Sequence, residues 1–273
     1  MNQHNTQAIL FIAAEDSGCK SDSAHNILTN PVIAVGCIQM KQASTESSFL
    51  SLLNQYPNLH MVVIVVPENG VLLEDALLLS RLAKKHGYLS VVTAQRCGKT
   101  PNEFLSAAKL SMDQLMYYTD CVLLLPIYRS SPAAIVYTTE HFYRDVQIFC
   151  QFLTTVITGN GFIYLELEDI SSIFKDGKFA YLGVGHVKGS DTSVRLSRME
   201  STEFLPKDIL EKASCTIVYV TGSEDIGLSD IEATVNLIQT NTSSNTPLLF
   251  GAEFDSNLHN ELHVDVLVTG IEA

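Results

Sequence analysis

Short apolar runs alternate with helical patterns along the first half of the chain. The runs are hydrophobic at nearly every position, which is typical of strands buried on both faces of a parallel sheet. They predict strands at 8–14, 32–35, 61–66, 89–93 and 121–125. Residues 74–86 carry acids in the first turn, bases in the last turn and Gly87 just beyond, which predicts a capped helix. The alternation predicts a doubly wound α/β layer up to about residue 130.

A longer helical pattern follows, from Ala134 to Thr158, and it ends at the breaker cluster 159–161. Glu140, Arg144 and Asp145 lie at its centre, where a bilayer would strongly disfavour charged side chains. The pattern therefore predicts a long central core helix rather than a membrane span.

Strands outnumber helices in the last part of the chain. Strands are predicted at 180–187, 215–221, 247–254 and 263–269. Helices are predicted at 168–174 and 229–239, the second with Ser229 as N-cap and Glu232 three residues later, a capping-box pattern. This mixture indicates a smaller α/β domain with a mixed sheet. We expect three parts, at 1–132, 133–159 and 160–273.

Composition and charge exclude several function classes. The chain has 273 residues, 46% of them hydrophobic and 17% charged, as expected of a well-cored soluble protein. A net charge of −13 with 17 Lys and Arg residues leaves no basic stripe for nucleic acid or for an anionic membrane surface. The first residues lack the pattern of a secretory signal, so we expect a cytoplasmic protein. The six cysteines contain no C-x-x-C pair, and we expect no metal site and no cofactor.

Glycines, acids and apolar residues recur at fixed spacing through the last hundred or so residues. The positions that carry the pattern are Gly161, Ile163, Asp169, Ala180, Gly183, Gly185, Gly189, Asp191, Gly222, Asp225, Leu228, Gly251, Asp255, Glu261, Leu262, Val264, Val266, Thr269 and Gly270. In order and spacing they resemble the C-terminal domain of the bacterial cell-division protein FtsZ. The resemblance implies a tubulin/FtsZ-like fold, with a doubly wound N-terminal domain, a long central helix and a smaller C-terminal α/β domain.

The first half resembles FtsZ in its strands but not in its phosphate loops. Several glycines let backbone N–H groups approach phosphate oxygens in such loops. Here the two corresponding segments, AAEDSGCKSDSAHN and PENGVLLED, keep only Gly18 and Gly70. Glu74 and Asp75 would add negative charge beside a triphosphate. The resemblance therefore implies a degenerate nucleotide-binding domain at 1–132.

The remaining nucleotide contacts are also replaced under this resemblance. The acid and the arginine that contact nucleotide in FtsZ fall near Thr100 and Phe104, and the guanine-reading asparagine falls near Arg144. The neighbouring Asp145 is either a solvated position on the central helix or a ligand contact.

An acidic loop is retained before the predicted helix at 168–174. In FtsZ this loop enters the pocket of the next subunit and supplies acids that position water, and Glu166 and Asp169 are the corresponding acids here, whereas Tyr164 replaces the usual asparagine. Two carboxylates near a bound water could activate attack on a γ-phosphate. Acids in a first helical turn are also ordinary partners of the helix dipole, so both interpretations stay open.

His259 and His263 flank Glu261 at a spacing that suits zinc only on a helix. The segment LHNELHVDVLV indicates a turn that enters a strand, where these side chains do not converge. We expect no metal site from this pattern.

Taken together, these features predict an FtsZ-like structural or cytoskeletal protein of cell division without GTPase activity. It is expected to act through self-association, or through association with FtsZ filaments as a regulator or cap of their assembly. Because the chain ends at Ala273, at the last predicted strand, direct membrane tethering is not expected. The alternatives are an active filament-forming GTPase with atypical phosphate loops, and a filament or dimer that assembles without nucleotide.

Overall fold

The computed structural model describes most of the chain and places it in one ten-stranded sheet with helices on both faces. The described residues are 9–15, 33–39, 45–66, 71–95, 101–109, 111–129, 137–158, 161–175, 177–189, 191–200 and 204–272. The strands are β1 (Ile9–Glu15), β2 (Ile33–Gln39), β3 (Met61–Val66), β4 (Leu89–Gln95), β5 (Cys121–Leu125), β6 (Tyr128–Arg129), β7 (Lys178–Lys188), β8 (Cys215–Gly222), β9 (Leu248–Phe254) and β10 (Glu261–Ile271). The helices are α1 (Thr45–Leu53), α2 (Val71–Lys85), α3 (Pro101–Ala108), α4 (Met112–Tyr118), α5 (Thr139–Thr158), α6 (Leu167–Phe174), α7 (Thr192–Glu200), α8 (Lys207–Lys212) and α9 (Leu228–Asn241).

The first five strands form the parallel half of the sheet, in the order β2-β1-β3-β4-β5. Every residue of β3 and β5 is buried, which confirms the prediction from their unbroken apolar runs. The helix predicted at 74–86 begins earlier, at Val71. Gly87 ends it with φ of +84°, and the Tyr88 N–H donates to the Ala83 carbonyl at 3.0 Å, as the predicted glycine cap requires.

The last four strands form the mixed half of the sheet. β7 pairs parallel with β5 and antiparallel with β10, β10 pairs antiparallel with β8, and β8 pairs parallel with β9. The mixed sheet predicted for this part of the chain is confirmed. The pairing of β5 with β7 joins the two halves into one sheet, while the three-part division at 132 and 159 stays a prediction.

The central helix α5 packs on one face of this sheet together with α6. Phe149 of α5 is fully buried, and its ring centroid lies 6.1 Å from those of both Phe11 and Phe174. One side chain thus connects the first strand, the central helix and α6, and burying an aromatic ring of this kind contributes about 2–3 kcal/mol. The opposite face is covered by α1–α4 and α7–α9. Among the described helices, none is long and apolar enough to cross a membrane.

The start of α9 differs from the predicted capping box. Gly227 is the N-cap instead of Ser229, and the third helical residue is Asp230 instead of Glu232. The Gly227 N–H donates to Asp230 Oδ2 at 3.1 Å. The prediction was wrong because a buried ion pair of Asp230, described below, determines where the helix begins.

Candidate functional site

The acidic loop runs directly into α6. Glu166 is the N-cap of this helix, with φ of −84° and ψ of 158°, and its N–H donates to Asp169 Oδ2 at 3.0 Å. Asp169 therefore satisfies one of the backbone donors at the helix start. The Glu166 side chain is exposed to solvent. The geometry fits the interpretation of these acids as helix-terminal residues, and a catalytic role stays a prediction.

Three aromatic side chains are exposed in this region: Phe162 and Tyr164 in the loop itself, and Phe254 at the end of β9. We call these three side chains the aromatic edge. Their exposed fractions are 46%, 67% and 50%. The rings of Phe162 and Phe254 stack with centroids 4.7 Å apart and planes inclined by 23°. Large apolar groups grouped in this way on a surface are typical of interaction sites.

The backbone holds the aromatic edge against the outermost strand of the mixed half. β9 is the last strand in the sheet order, and Ile163 forms an antiparallel bridge with its Ala252. The Ala252 N–H donates to the Ile163 carbonyl at 2.9 Å, and the Ile163 N–H donates to the Ala252 carbonyl at 3.3 Å. The loop therefore lies along a sheet edge, and its aromatic side chains are presented from a fixed backbone.

On the central helix, Arg144 and Asp145 have different environments. Arg144 is exposed, with Nη2 3.9 Å from Glu140 Oε1 one turn earlier. Asp145 is 1% exposed, so of the two alternatives left open for it, the solvated position was wrong. Its Oδ2 accepts the Ile127 N–H at 3.0 Å and the Tyr137 hydroxyl at 2.9 Å.

An ion pair with Arg129 completes the environment of Asp145. The carboxylate therefore fixes the connection between β5 and α5, as buried charges with several partners commonly do. The sequence could not show this role because its partners lie 8 to 18 residues away along the chain.

The glycines of the two replaced phosphate loops, Gly18 and Gly70, lie outside the described residues, as does Thr100. The strands that precede these segments in sequence, β1 and β3, are parallel neighbours, so both strands end at the carboxyl edge of the sheet, where open α/β sheets bind ligands. Phe104, near the position of the nucleotide arginine, is 3% exposed. Its ring packs edge-on against Phe179, with centroids 5.7 Å apart. This position therefore belongs to the core.

A buried ion network holds the start of α9 in the mixed half. Arg195 is 2% exposed, and its Nε and Nη2 donate to the two carboxylate oxygens of Asp230 at 2.9 and 3.1 Å. Its Nη1 donates to Asp225 Oδ2 at 3.1 Å and to the Gly189 carbonyl at 2.9 Å. Asp225 and Gly189 belong to the FtsZ-like pattern, so the network shows one structural reason for that pattern.

Comparison with known proteins finds a similarity to FtsZ in sequence as well. The model of the FtsZ family, C-terminal domain, matches residues 178–272. A cell division protein FtsZ of Wolbachia sp is 24% identical over 171 residues, which cover 60% of this chain and 43% of that protein. Two further FtsZ relatives are covered over 55% and 31% of their lengths. The match therefore covers well under two thirds of the length of each of these three curated relatives.

Comparison of structures gives the same fold. An FtsZ mutant of M. jannaschii superposes with a TM-score of 0.69 at 17% identity, covering 97% of this chain and 92% of that chain. CetZ2 from Haloferax volcanii, solved as a GTPgS-bound protofilament, superposes with a TM-score of 0.64 at 13% identity, covering 97% and 94%. The predicted tubulin/FtsZ-like α/β fold is confirmed. Together with the family match over residues 178–272, these likenesses show that the chain resembles the C-terminal domain of the FtsZ family in sequence and FtsZ and CetZ2 in fold.

Proposed function

We propose that this protein is an FtsZ-like structural protein of cell division that assembles through subunit contacts and does not hydrolyse GTP. The observation that carries the proposal is the aromatic edge beside the acidic loop. Aromatic side chains are enriched at the centres of protein interfaces, and here Phe162, Tyr164 and Phe254 are exposed together. The exposed Glu166 next to them provides a charged group at the rim of such a contact.

The resemblance to FtsZ supports the position of this contact. In that family the loop that corresponds to 161–166 enters the pocket of the next subunit, and the CetZ2 neighbour was solved as a protofilament. Tyr164, where FtsZ has asparagine, adds a second aromatic side chain to this loop, beside Phe162. We infer that the contact face of this chain relies on apolar burial more than on water-positioning polar groups.

The proposed loss of GTP hydrolysis rests on the positions that would hold the nucleotide. Both phosphate loops have lost most of their glycines in sequence, and the position near the nucleotide arginine is the buried Phe104. Arg144 replaces the residue that reads guanine, and the neighbouring Asp145 is occupied by Arg129, Tyr137 and a backbone N–H. Each replacement removes a favourable contact to GTP.

A finer proposal follows for the partner. The chain keeps the face with the acidic loop but lacks the residues of the nucleotide face, so it would bind an FtsZ-type subunit from one side and block the next addition. It would then act as a cap. Mixed with FtsZ and GTP, it should lower polymer mass or shorten polymers in a co-sedimentation assay. Unchanged polymer at every ratio would contradict this cap function.

Self-association is tested by sedimentation velocity over a range of concentrations. We expect the double variant Phe162→Ser, Phe254→Ser to weaken association at least about tenfold, as loss of interface anchors does. The matched control is Tyr117→Ser, because Tyr117 is 57% exposed but lies on α4, which packs on α2 in the parallel half. It should change association less than about twofold. A wild-type chain that neither self-associates nor binds FtsZ polymers would overturn the proposal.

A further inference from the structure

Two histidines and a glutamate meet on one side of the β7–β10 pair. His186 of β7 and His263 of β10 are register partners, and Glu261 lies two residues before His263 on the same side of β10. In the sequence, the pattern around Glu261 pairs His263 with His259. The structure instead brings His186 to the site from a strand that is remote in sequence.

The distances between the three side chains match those of metal ligands. Glu261 Oε1 lies 3.3 Å from His263 Nε2 and 3.7 Å from His186 Nδ1. Zinc bonds of about 2.0–2.1 Å in a tetrahedral arrangement place neighbouring ligand atoms about 3.4 Å apart. One ligand atom from each residue lies within 4.8 Å of the others.

A neighbouring lysine holds the other oxygen of the carboxylate. Lys188 Nζ lies 3.1 Å from Glu261 Oε2, so Oε1 remains directed at the two imidazole rings. Outer partners of this kind orient ligating carboxylates in many metal sites. The ion pair between Lys188 and Glu261 accounts for the position of Oε2, and it leaves Oε1 for the ring nitrogens of His186 and His263.

We propose that His186, Glu261 and His263 bind one divalent transition-metal ion of the zinc class. Two imidazoles and one carboxylate suit zinc. His186 has a side chain that is 57% exposed, so solvent can reach the ion and complete its coordination. The site is separate from the aromatic edge, and it stands or falls independently of the proposed assembly function.

The test is titration of the full chain with zinc chloride in a calorimeter near pH 7.5. We expect one site that weakens at least about tenfold in each of His186→Ala, Glu261→Gln and His263→Ala. The matched control is His259→Ala, because His259 is an exposed histidine in the turn just before β10. It should change the affinity less than about twofold.

A second measurement keeps the test decisive if a variant folds poorly. Zinc should raise the melting temperature of the wild type and of His259→Ala, since a ligand that binds only the folded state stabilises it. It should not raise that of His186→Ala, whose changed residue is largely exposed and not needed for packing. Zinc binding that survives in the triple variant of His186, Glu261 and His263, or no zinc binding by the wild type, would overturn the proposal.

Discussion

The mixed half and the parallel half of the sheet resemble FtsZ in different ways. In the mixed half the matching residues hold the structure: Asp225 and Gly189 bind Arg195, and Gly270, with φ of +76°, takes a left-handed conformation. In the parallel half the strands persist through their apolar cores, whereas the residues expected to contact nucleotide are replaced.

The difference shows that a fold and its ligand site depend on separate residues. The parallel sheet is stabilised by many apolar side chains, each of which contributes a little. A phosphate site depends on a few glycines and charges, so it can be lost while the sheet remains. The resemblance to FtsZ therefore supports the fold more strongly than it supports catalysis.

The largest effect is expected from breaking the ion network of the mixed half. Arg195→Met leaves Asp230, which is fully buried, without its main partner, and should lower the free energy of unfolding by about 3–5 kcal/mol. Urea unfolding measures this change. The control is Lys207→Ala, which removes an exposed pair to Glu211 at 3.7 Å and should cost less than about 0.5 kcal/mol. A loss below about 1 kcal/mol for Arg195→Met would contradict the structural role of the pattern.

The second largest effect on the free energy of unfolding is expected from Asp145, on the central helix α5. Asp145→Ala leaves the buried Ile127 N–H without an acceptor and should cost about 2–3 kcal/mol in urea unfolding. Arg144→Ala, one residue earlier and exposed, is the matched control and should cost less than about 0.5 kcal/mol. If Asp145 instead served a ligand, the two variants would have similar stability.

Acid should weaken the mixed half through Asp230. Burial alone would raise its pKa, but hydrogen bonds from Arg195 and the Gly227 N–H lower it. The stabilisation is therefore present above the unfolded pKa, near 4, and is lost as the pH falls through the folded pKa. Between pH 6 and pH 3 the wild type should therefore lose more of its free energy of unfolding than Asp230→Asn. Parallel pH dependence of the two proteins would exclude this contribution.

The smallest effect on stability is expected in the acidic loop. It corresponds to the FtsZ loop that enters the pocket of the next subunit. Asp169→Ala removes the acceptor of the Glu166 N–H and should cost about 1 kcal/mol. Glu168→Ala, in the same helical turn and exposed, is the control and should cost less than about 0.5 kcal/mol. Equal stability of the two variants would show that Asp169 does not cap the helix.

The sequence predicted the strands well because their apolar runs are unbroken. The bounds of β3 and β5 agree with the structure residue for residue. The N-cap of α9 was placed two residues late, because Ser229 and Glu232 form a capping pattern that is local. The buried pair of Asp230 with Arg195 overrides it, and a contact across 35 residues leaves no local signal.

The candidate sites were predicted only in part, for the same reason. Glu166 and Asp169 could be found because they are close in sequence and belong to a family pattern. The contacts of Asp145 and the group of His186, Glu261 and His263 depend on which strands and helices become neighbours. Strand register cannot be read from residue spacing, so these groups emerge only from the fold.

Titration of the full chain with GTP and magnesium in a calorimeter tests the central claim most directly. We predict that GTP binds no more tightly than about 1 mM, because the phosphate loops and the base-reading position are replaced. Binding at micromolar strength would contradict it and would favour an active GTPase with atypical phosphate loops.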